Sequence, residues 1–133
     1  NPYLLDVEFN TIKRDKKLAT YLKRSKCKLL ISWHDFKKTP NKCQLKSRYD
    51  KMRKISNMIK IVTVAKNVSD VSRLLSLYSL KSKEKIIAFC MGEEGKFSRI
   101  LCLHLGSPFT YVSLGKAIAP GQFSVDEIKS LES

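Results

Sequence analysis

Apolar residues recur along the chain in two alternating patterns, a short apolar run followed by a longer stretch with helical spacing. The run at residues 58–65 is rich in β-branched residues, as is typical of a strand. In residues 68–80, apolar side chains recur every three or four positions and therefore share one face of a helix. The same periods predict strands at residues 3–9, 28–32, 58–65, 85–91 and 109–112, helices at residues 11–24, 42–55, 68–80, 97–105 and 125–131, and a loop at residues 92–95.

Five strands, each followed by a helix, predict an α/β protein with a parallel sheet. A doubly wound sheet that binds a nucleotide is expected to carry a glycine-rich turn after an early strand. Residues 9–11 and 33–36 contain no glycine, and Gly92 and Gly95 are an incomplete match to such a turn. The pattern favours a (β/α)8 barrel, which takes about 250 residues when complete. We therefore expect residues 1–133 to form a single domain that is an incomplete barrel.

Composition agrees with a globular chain, because 43% of the residues are hydrophobic. Charged residues interrupt every apolar run well before the roughly 18 residues that a membrane-spanning helix needs, so no membrane span is predicted. The chain begins NPYLLDVEF, without Met and without the pattern of a secretory signal. We expect it to be processed or to be part of a longer protein.

The four cysteines, Cys27, Cys43, Cys90 and Cys102, include no C-x-x-C pair and have no paired histidines near them. This spacing argues against a zinc site and against a disulfide framework. Cys90 lies in an apolar run and Cys102 in an amphipathic helix, so we expect buried thiols in a reducing compartment, the cytoplasm.

The net charge is +14, from 26 basic and 12 acidic residues. A charge of this size is typical of proteins that bind nucleic acid. Here the basic residues are spread over several predicted helices and loops instead of forming one stripe with interleaved aromatic residues. A solvated basic surface is therefore the default expectation, and it would attract a small anionic substrate.

Reactive groups in parallel α/β folds stand at the C-terminal ends of strands. Lys60, which lies within the third predicted strand, is the sharpest anomaly in the predicted strands. It interrupts a β-branched run, although lysine is almost never fully buried without a partner. A neutral lysine attacks a carbonyl carbon to form a Schiff base. The alternative is that Lys60 extends to solvent or pairs with Asp6 or Glu8, which share one face of the first strand.

Other strand ends carry further candidates, each with a structural alternative. His34 lies just past the second strand, where histidine suits general acid and base catalysis, but a structural histidine is equally common there. Glu8 either forms a structural pair or orients a catalytic partner from the next strand. Arg99 either binds a carboxylate through two hydrogen bonds or lies on the surface. Gln122 follows the last strand in a turn that can place its amide over the barrel mouth.

Five segments, taken in order, resemble the type I 3-dehydroquinate dehydratases, the Schiff-base class of the shikimate pathway. The resemblance extends from about Tyr3 to Leu131, and it rests on the order and spacing of the segments, since a single short motif means little. The family fold is a (β/α)8 barrel, and DVEF resembles its fourth strand, so the chain resembles strands four to eight. The segments are SWHDFKKTP, MIKIVTVAKN, MGEEGKFSR, HLGSPFTYVS and APGQF.

The resemblance implies a lyase that removes water from 3-dehydroquinate, giving 3-dehydroshikimate for aromatic amino acid biosynthesis. Lys60 would form the imine with the substrate ketone. His34 would remove the neighbouring proton and return it to the leaving hydroxyl, and Glu8 would help to orient His34. No metal and no dissociable cofactor are implied, because the lysine is itself the covalent catalyst.

The resemblance also assigns the groups that grip the substrate. Arg99 would pair with its carboxylate and Gln122 with a hydroxyl, while Met91 and Tyr111 would line the site. Ile118 stands where the family usually has a small hydroxyl residue, so one substrate hydrogen bond is expected to be absent or to come from the backbone.

The first three strands of the family are missing from this chain, so the chain alone is expected to have an incomplete site. Open edges and an uncovered face also predict assembly with a second copy or with a separate N-terminal half. Two further functions stay open: a half-barrel that acts as a scaffold or partner subunit, and a basic module that binds a polyanion such as nucleic acid.

Overall fold

Strands and helices alternate in the computed structural model, which describes residues 4–80 and 83–110. The strands are β1 (Leu4–Glu8), β2 (Lys28–His34), β3 (Met58–Val64) and β4 (Lys85–Met91). The helices are α1 (Phe9–Arg14), α2 (Lys16–Arg24), α3 (Lys42–Arg53), α4 (Val68–Leu75) and α5 (Ser98–His104). Short 3₁₀ turns at Ser76–Leu80 and Glu93–Gly95 follow α4 and β4.

All pairs of neighbouring strands are parallel, and their spatial order, β1-β2-β3-β4, is also their order along the chain. The α/β class and the parallel sheet predicted from the sequence are therefore confirmed. Side chains of paired residues point to the same face of a sheet. Lys60 pairs with Ser32 and with Ile87, and Ser32 pairs with Glu8, so these four side chains share one face. We call it the site face.

The opposite face of the sheet is apolar and packs against the helices. Its strand residues in β3 and β4 are buried because side chains of neighbouring strands lie beside each other under the helix layer. Met52 and Tyr49 of α3 and Leu74 of α4 are among the buried side chains that cover it from the helix side. The buried apolar strand residues on this face are Ile31, Ile59, Ile61, Ile86, Ala88 and Cys90.

The single helix predicted at residues 11–24 is wrong, because the chain forms α1 and α2 there. Asp15 separates them with extended backbone angles, φ −117° and ψ 96°. Its carboxylate accepts a hydrogen bond from the N–H of Leu18 at 3.0 Å and caps α2. Aspartate favours this role because its side chain competes with the helix for backbone donors.

The helix predicted at residues 68–80 changes to a 3₁₀ turn after Leu75. The hydroxyls of Ser76 and Ser79 donate to carbonyls three residues earlier, which matches 3₁₀ spacing. The turn brings Tyr78 to the outer edge of β4, where its hydroxyl accepts the N–H of Ala88 at 2.8 Å and donates to the same residue's carbonyl at 3.0 Å. Burial raises the pKa of Tyr78 well above its usual value.

The second strand is longer than predicted and ends at His34 instead of residue 32. Trp33 and His34 pair with Ile61 and Val62 of β3, and this pairing extends β2 by two residues. For the fifth predicted strand, residues 109 and 110 belong to neither strand nor helix. Residues 111 and 112 and the helix predicted at 125–131 lie outside the described residues.

Asp70 and Arg73 together connect α4 to the loop that follows β2. Its carboxylate accepts the backbone N–H of Lys66 at 2.9 Å and a guanidinium N–H of Arg73 at 2.6 Å. Arg73 also donates to the carbonyls of Pro40 and Thr39. The backbone hydrogen bond, followed by the arginine, holds the pKa of Asp70 below its usual range despite partial burial.

Cys90 and Cys102 are fully buried, as predicted, and burial raises the pKa of both thiols. Cys43, by contrast, is exposed. Among the helices within residues 4–80 and 83–110, none has the length and apolar character that crossing a membrane requires.

Candidate active site

Polar side chains are concentrated on the site face, among apolar strand residues such as Leu30, Val62 and Ile87. Asp6 and Glu8 come from β1, His34 from the end of β2 and Lys60 from the middle of β3. Period-two alternation places every second residue of a strand on the same face. Neighbouring parallel strands therefore bring together residues that are far apart in the sequence.

Lys60 is buried, with only 6% of its surface exposed. Its Nζ atom donates to Oδ2 of Asp6 across the sheet at 2.6 Å. The Asp6 side chain is 40% exposed, whereas that of Lys60 is only 8% exposed. The sequence left open whether Lys60 pairs with Asp6 or Glu8, and the structure selects Asp6. The ion pair holds the Lys60 side chain in a fixed position, and its amine becomes a nucleophile once the proton is lost.

His34 is held by Glu8. Its Nδ1 atom lies 3.1 Å from Oε2 of Glu8, and the same oxygen accepts the hydroxyl of Ser32 at 3.1 Å. Since a carboxylate only accepts, Nδ1 carries the proton and Nε2 is left to accept one. The ring stacks on Phe36 with centroids 5.5 Å apart and planes 3° from parallel. Glu8 orients the imidazole through Nδ1, as acid and base catalysis requires, and the exposed ring of Phe36 adds a stacking contact.

Arg99 is buried, with 4% of its surface exposed, and is therefore not a surface arginine. Its guanidinium carbon lies 4.4 Å from the centroid of the Phe89 ring. Within the described part of the chain, its Nε atom is buried without a hydrogen-bond partner. Burial lowers its pKa, but arginine keeps its charge in proteins. A buried cation with an unused donor is suited to bind an anionic group.

Met91 is half-buried at the end of β4 and packs against a small apolar cluster that includes Val62, Phe89 and Cys102. Val62 pairs with Phe89 in the register, and Phe89 belongs to the same face as Met91. Met91 is therefore on the site face, where the sequence predicted an apolar lining. Tyr111 and Gln122, and also Ile118, lie outside the described residues.

Sequence reasoning missed two contributors, Ser32 and Phe36. Alternation along the SWHDF segment places Ser32 on the face of His34, so the period of the strand was an available signal for it. Phe36 has no such signal, because it follows the strand and its position depends on the loop. Residues 4–80 and 83–110 contain no group of three or more His, Cys, Asp or Glu side chains that could hold a metal ion.

Comparison with known proteins assigns this arrangement to a family. The model of the type I 3-dehydroquinase family matches residues 1–132. The chain belongs to the type I 3-dehydroquinase family. Curated relatives include a 3-dehydroquinate dehydratase of Methanococcus maripaludis strain C6, 40% identical over 98% of this chain and 61% of its own length. Another, from Methanocaldococcus jannaschii, is 37% identical and is covered over 60% of its length.

Solved structures of the family agree with the fold. A 3-dehydroquinate dehydratase from Aquifex aeolicus matches 98% of the chain with a TM-score of 0.83 at 32% identity, and 59% of that chain is covered. The type I enzyme from Clostridium difficile, solved with covalently modified comenic acid, matches 96% of the chain with a TM-score of 0.80 at 30% identity. The chain covers 52% of that enzyme. It thus spans between about half and three fifths of these relatives.

Proposed function

We propose that this type I 3-dehydroquinase chain carries the catalytic strands of a 3-dehydroquinate dehydratase that acts through a Schiff base on Lys60. The observation that supports this most is the juxtaposition on the site face. The buried amine of Lys60 lies on the strand next to the Glu8–His34 pair. A fixed amine beside an oriented imidazole is the constellation that imine formation followed by proton transfer requires.

The proposed reaction proceeds through an imine and an enamine on Lys60. The amine of Lys60 adds to the substrate ketone, and loss of water from the carbinolamine gives a protonated imine. His34 removes a proton from the adjacent carbon through Nε2, and the electron pair moves to the imine nitrogen to form an enamine. The enamine expels the β-hydroxyl, which takes the proton back from His34. Water then hydrolyses the conjugated imine, so that Lys60 is released and one water is lost overall.

Asp6 and Glu8 support these steps from β1. Asp6, at 2.6 Å from Nζ, is an acceptor for the proton that Lys60 must lose before it attacks. Glu8 keeps the proton of His34 on Nδ1, so that Nε2 acts as the base. Arg99 binds the substrate carboxylate, and Met91 supplies apolar lining. The family resemblance adds Gln122 on a substrate hydroxyl and Tyr111 as further lining.

A (β/α)8 barrel is the architecture that we propose for the complete enzyme. Sequential order of parallel strands supports a barrel, because a doubly wound sheet reverses its strand order part-way. Residues 1–133 would then be one domain with strands four to eight of the barrel. In the complete barrel, strands one to three would lie beside β1 and complete the site.

Borohydride trapping tests the proposal. The chain is incubated with 3-dehydroquinate and borohydride, alone and together with strands one to three of a relative, and is analysed by intact mass and peptide mapping. A reduced adduct on Lys60 is expected. Lys60→Met should abolish it, and Lys66→Met, which removes an exposed lysine just beyond the same strand, should not.

Two results contradict the proposal. An adduct on surface lysines alone refutes a special role for Lys60. No adduct in either preparation, from a chain that is folded by circular dichroism, favours a scaffold subunit or a polyanion-binding module. These two are separated by whether the chain binds nucleic acid with a steep dependence on salt.

A further inference from the structure

The segment between Gly92 and Ser98 is attached to β4 by contacts that leave it little freedom. Gly92 has φ +88°, a conformation that favours glycine. A Cβ atom added at Gly95 would lie 2.6 Å from Cβ of Cys90 and 2.7 Å from its carbonyl oxygen. Such distances do not occur in real structures, so only glycine permits the segment to lie directly on the strand.

Ser98 makes the polar connection at the same point. It is fully buried, and its hydroxyl oxygen accepts the N–H of Cys90 at 2.7 Å. The hydroxyl lies 2.5 Å from the carbonyl oxygen of Gly95 and 3.3 Å from that of Cys90, so its proton is donated to one of them. One side chain thus satisfies a strand donor and ties the turn to the strand.

Ser98 is also the first residue of α5, and Arg99 is the second. Phe97, which precedes the helix, makes no side-chain hydrogen bond that would cap it. The buried hydroxyl of Ser98 is therefore the attachment that sets where α5 begins relative to β4. The Arg99 guanidinium stacks on Phe89, itself a residue of β4, so its position depends on the same spacing between helix and strand.

From these contacts we infer that Ser98 is a positioning residue, which acts through Arg99 to prepare the site for the substrate carboxylate. This inference rests on the proposed function for the identity of the anion. The residues of the M-G-x-x-G-x-x-S-R segment then act together. Gly92 and Gly95 allow the segment to lie close to β4, Ser98 holds it there by hydrogen bonds, and Arg99 binds the substrate carboxylate.

The test compares Ser98→Ala with Ser47→Ala, an exposed serine on α3, in the borohydride trapping assay. Removing a buried hydrogen-bond acceptor should raise the 3-dehydroquinate concentration for half-maximal adduct about tenfold while the maximal yield stays unchanged. Ser47→Ala should behave as the parent chain. In an Arg99→Lys background, Ser98→Ala should cause no further rise, because its effect passes through Arg99.

A nuclear magnetic resonance measurement gives a second readout that needs no substrate. The Arg99 Nε–H signal of the parent chain should be shifted and slow to exchange, and Ser98→Ala should move it and speed its exchange. If Ser98→Ala does not fold, Ser98→Cys, which keeps the volume and weakens the acceptor, takes its place in both experiments with the same expectations.

The inference is overturned by an unchanged Nε–H signal, by a lower maximal yield at an unchanged half-saturating concentration, or by a full effect in the Arg99→Lys background. If the parent chain forms no adduct either alone or with strands one to three of a relative, the proposed function is contradicted instead. The Nε–H comparison then still decides the role of Ser98.

Discussion

The ion pair between Lys60 and Asp6 predicts opposite outcomes for two substitutions. Lys60→Met keeps the length of the side chain and removes the buried charge. Asp6→Asn keeps the shape of the partner and removes the negative charge beside the buried ammonium. We expect the first to leave the stability of the chain nearly unchanged, and the second to lower it.

The magnitudes follow from the exposure of the two groups. At 2.6 Å, with an effective dielectric constant of about 20 to 40, the attraction is about 3 to 6 kcal/mol. Burying an ion costs several kcal/mol, and Lys60, whose side chain is 8% exposed, bears most of that cost. The two terms nearly cancel, so Lys60→Met should change the free energy of unfolding by less than about 1 kcal/mol or increase it. Asp6→Asn removes the attraction alone and should cost about 2 kcal/mol after allowance for the exposure of Asp6.

Urea denaturation at pH 7, followed by the fluorescence of the single tryptophan, Trp33, measures these changes. Asp50→Asn is the matched control, because its partners Lys46 and Arg53 are exposed and the substitution should cost less than about 0.5 kcal/mol. If Lys60→Met destabilises the chain by more than about 2 kcal/mol, the ion pair is structural. If Asp6→Asn changes nothing, the carboxylate does not stabilise the buried ammonium. Either result refutes the reasoning. The expected pattern would mean that the lysine is retained for chemistry.

Two further predictions concern single carboxylates. Glu8→Gln weakens the hydrogen bond that orients His34, and because Glu8 is partly exposed the loss of interaction energy is about 1.4 kcal/mol. Product formation by the assembled enzyme should slow about tenfold while the adduct yield stays the same. An unchanged rate contradicts the role of Glu8. Asp70→Asn should lower the free energy of unfolding by about 1 kcal/mol at pH 7. Since the folded-state pKa of Asp70 is lowered, its stabilisation is present above the unfolded value of about 3.9 and is lost as the pH falls through the folded value. Denaturation curves of the parent chain and the variant should therefore converge in acid, and a gap that persists there argues against the carboxylate.

Hydrophobic periodicity was sufficient to predict most of the fold. The strands at residues 58–65 and 85–91 are found within one residue of their predicted ends, because their β-branched runs suit a sheet covered by helices. Lys60 stood out for the same reason, since a lysine in such a run must find a partner. The segments that resemble the family follow its order along the chain, and the family was therefore accessible without coordinates.

The register of neighbouring strands, which no local pattern contains, decided the rest. Asp6 and Lys60 are 54 residues apart, and whether Asp6 or Glu8 meets the lysine depends on how β1 aligns with β2 and β3. Packing buried Arg99 on Phe89, although its sequence position was equally compatible with the surface. Periodicity predicted one continuous helix at residues 11–24, but Asp15 interrupts it because its side chain caps α2. Periodicity reports which face of an element is buried, whereas register and side-chain hydrogen bonds, which form between distant residues, determine which groups meet.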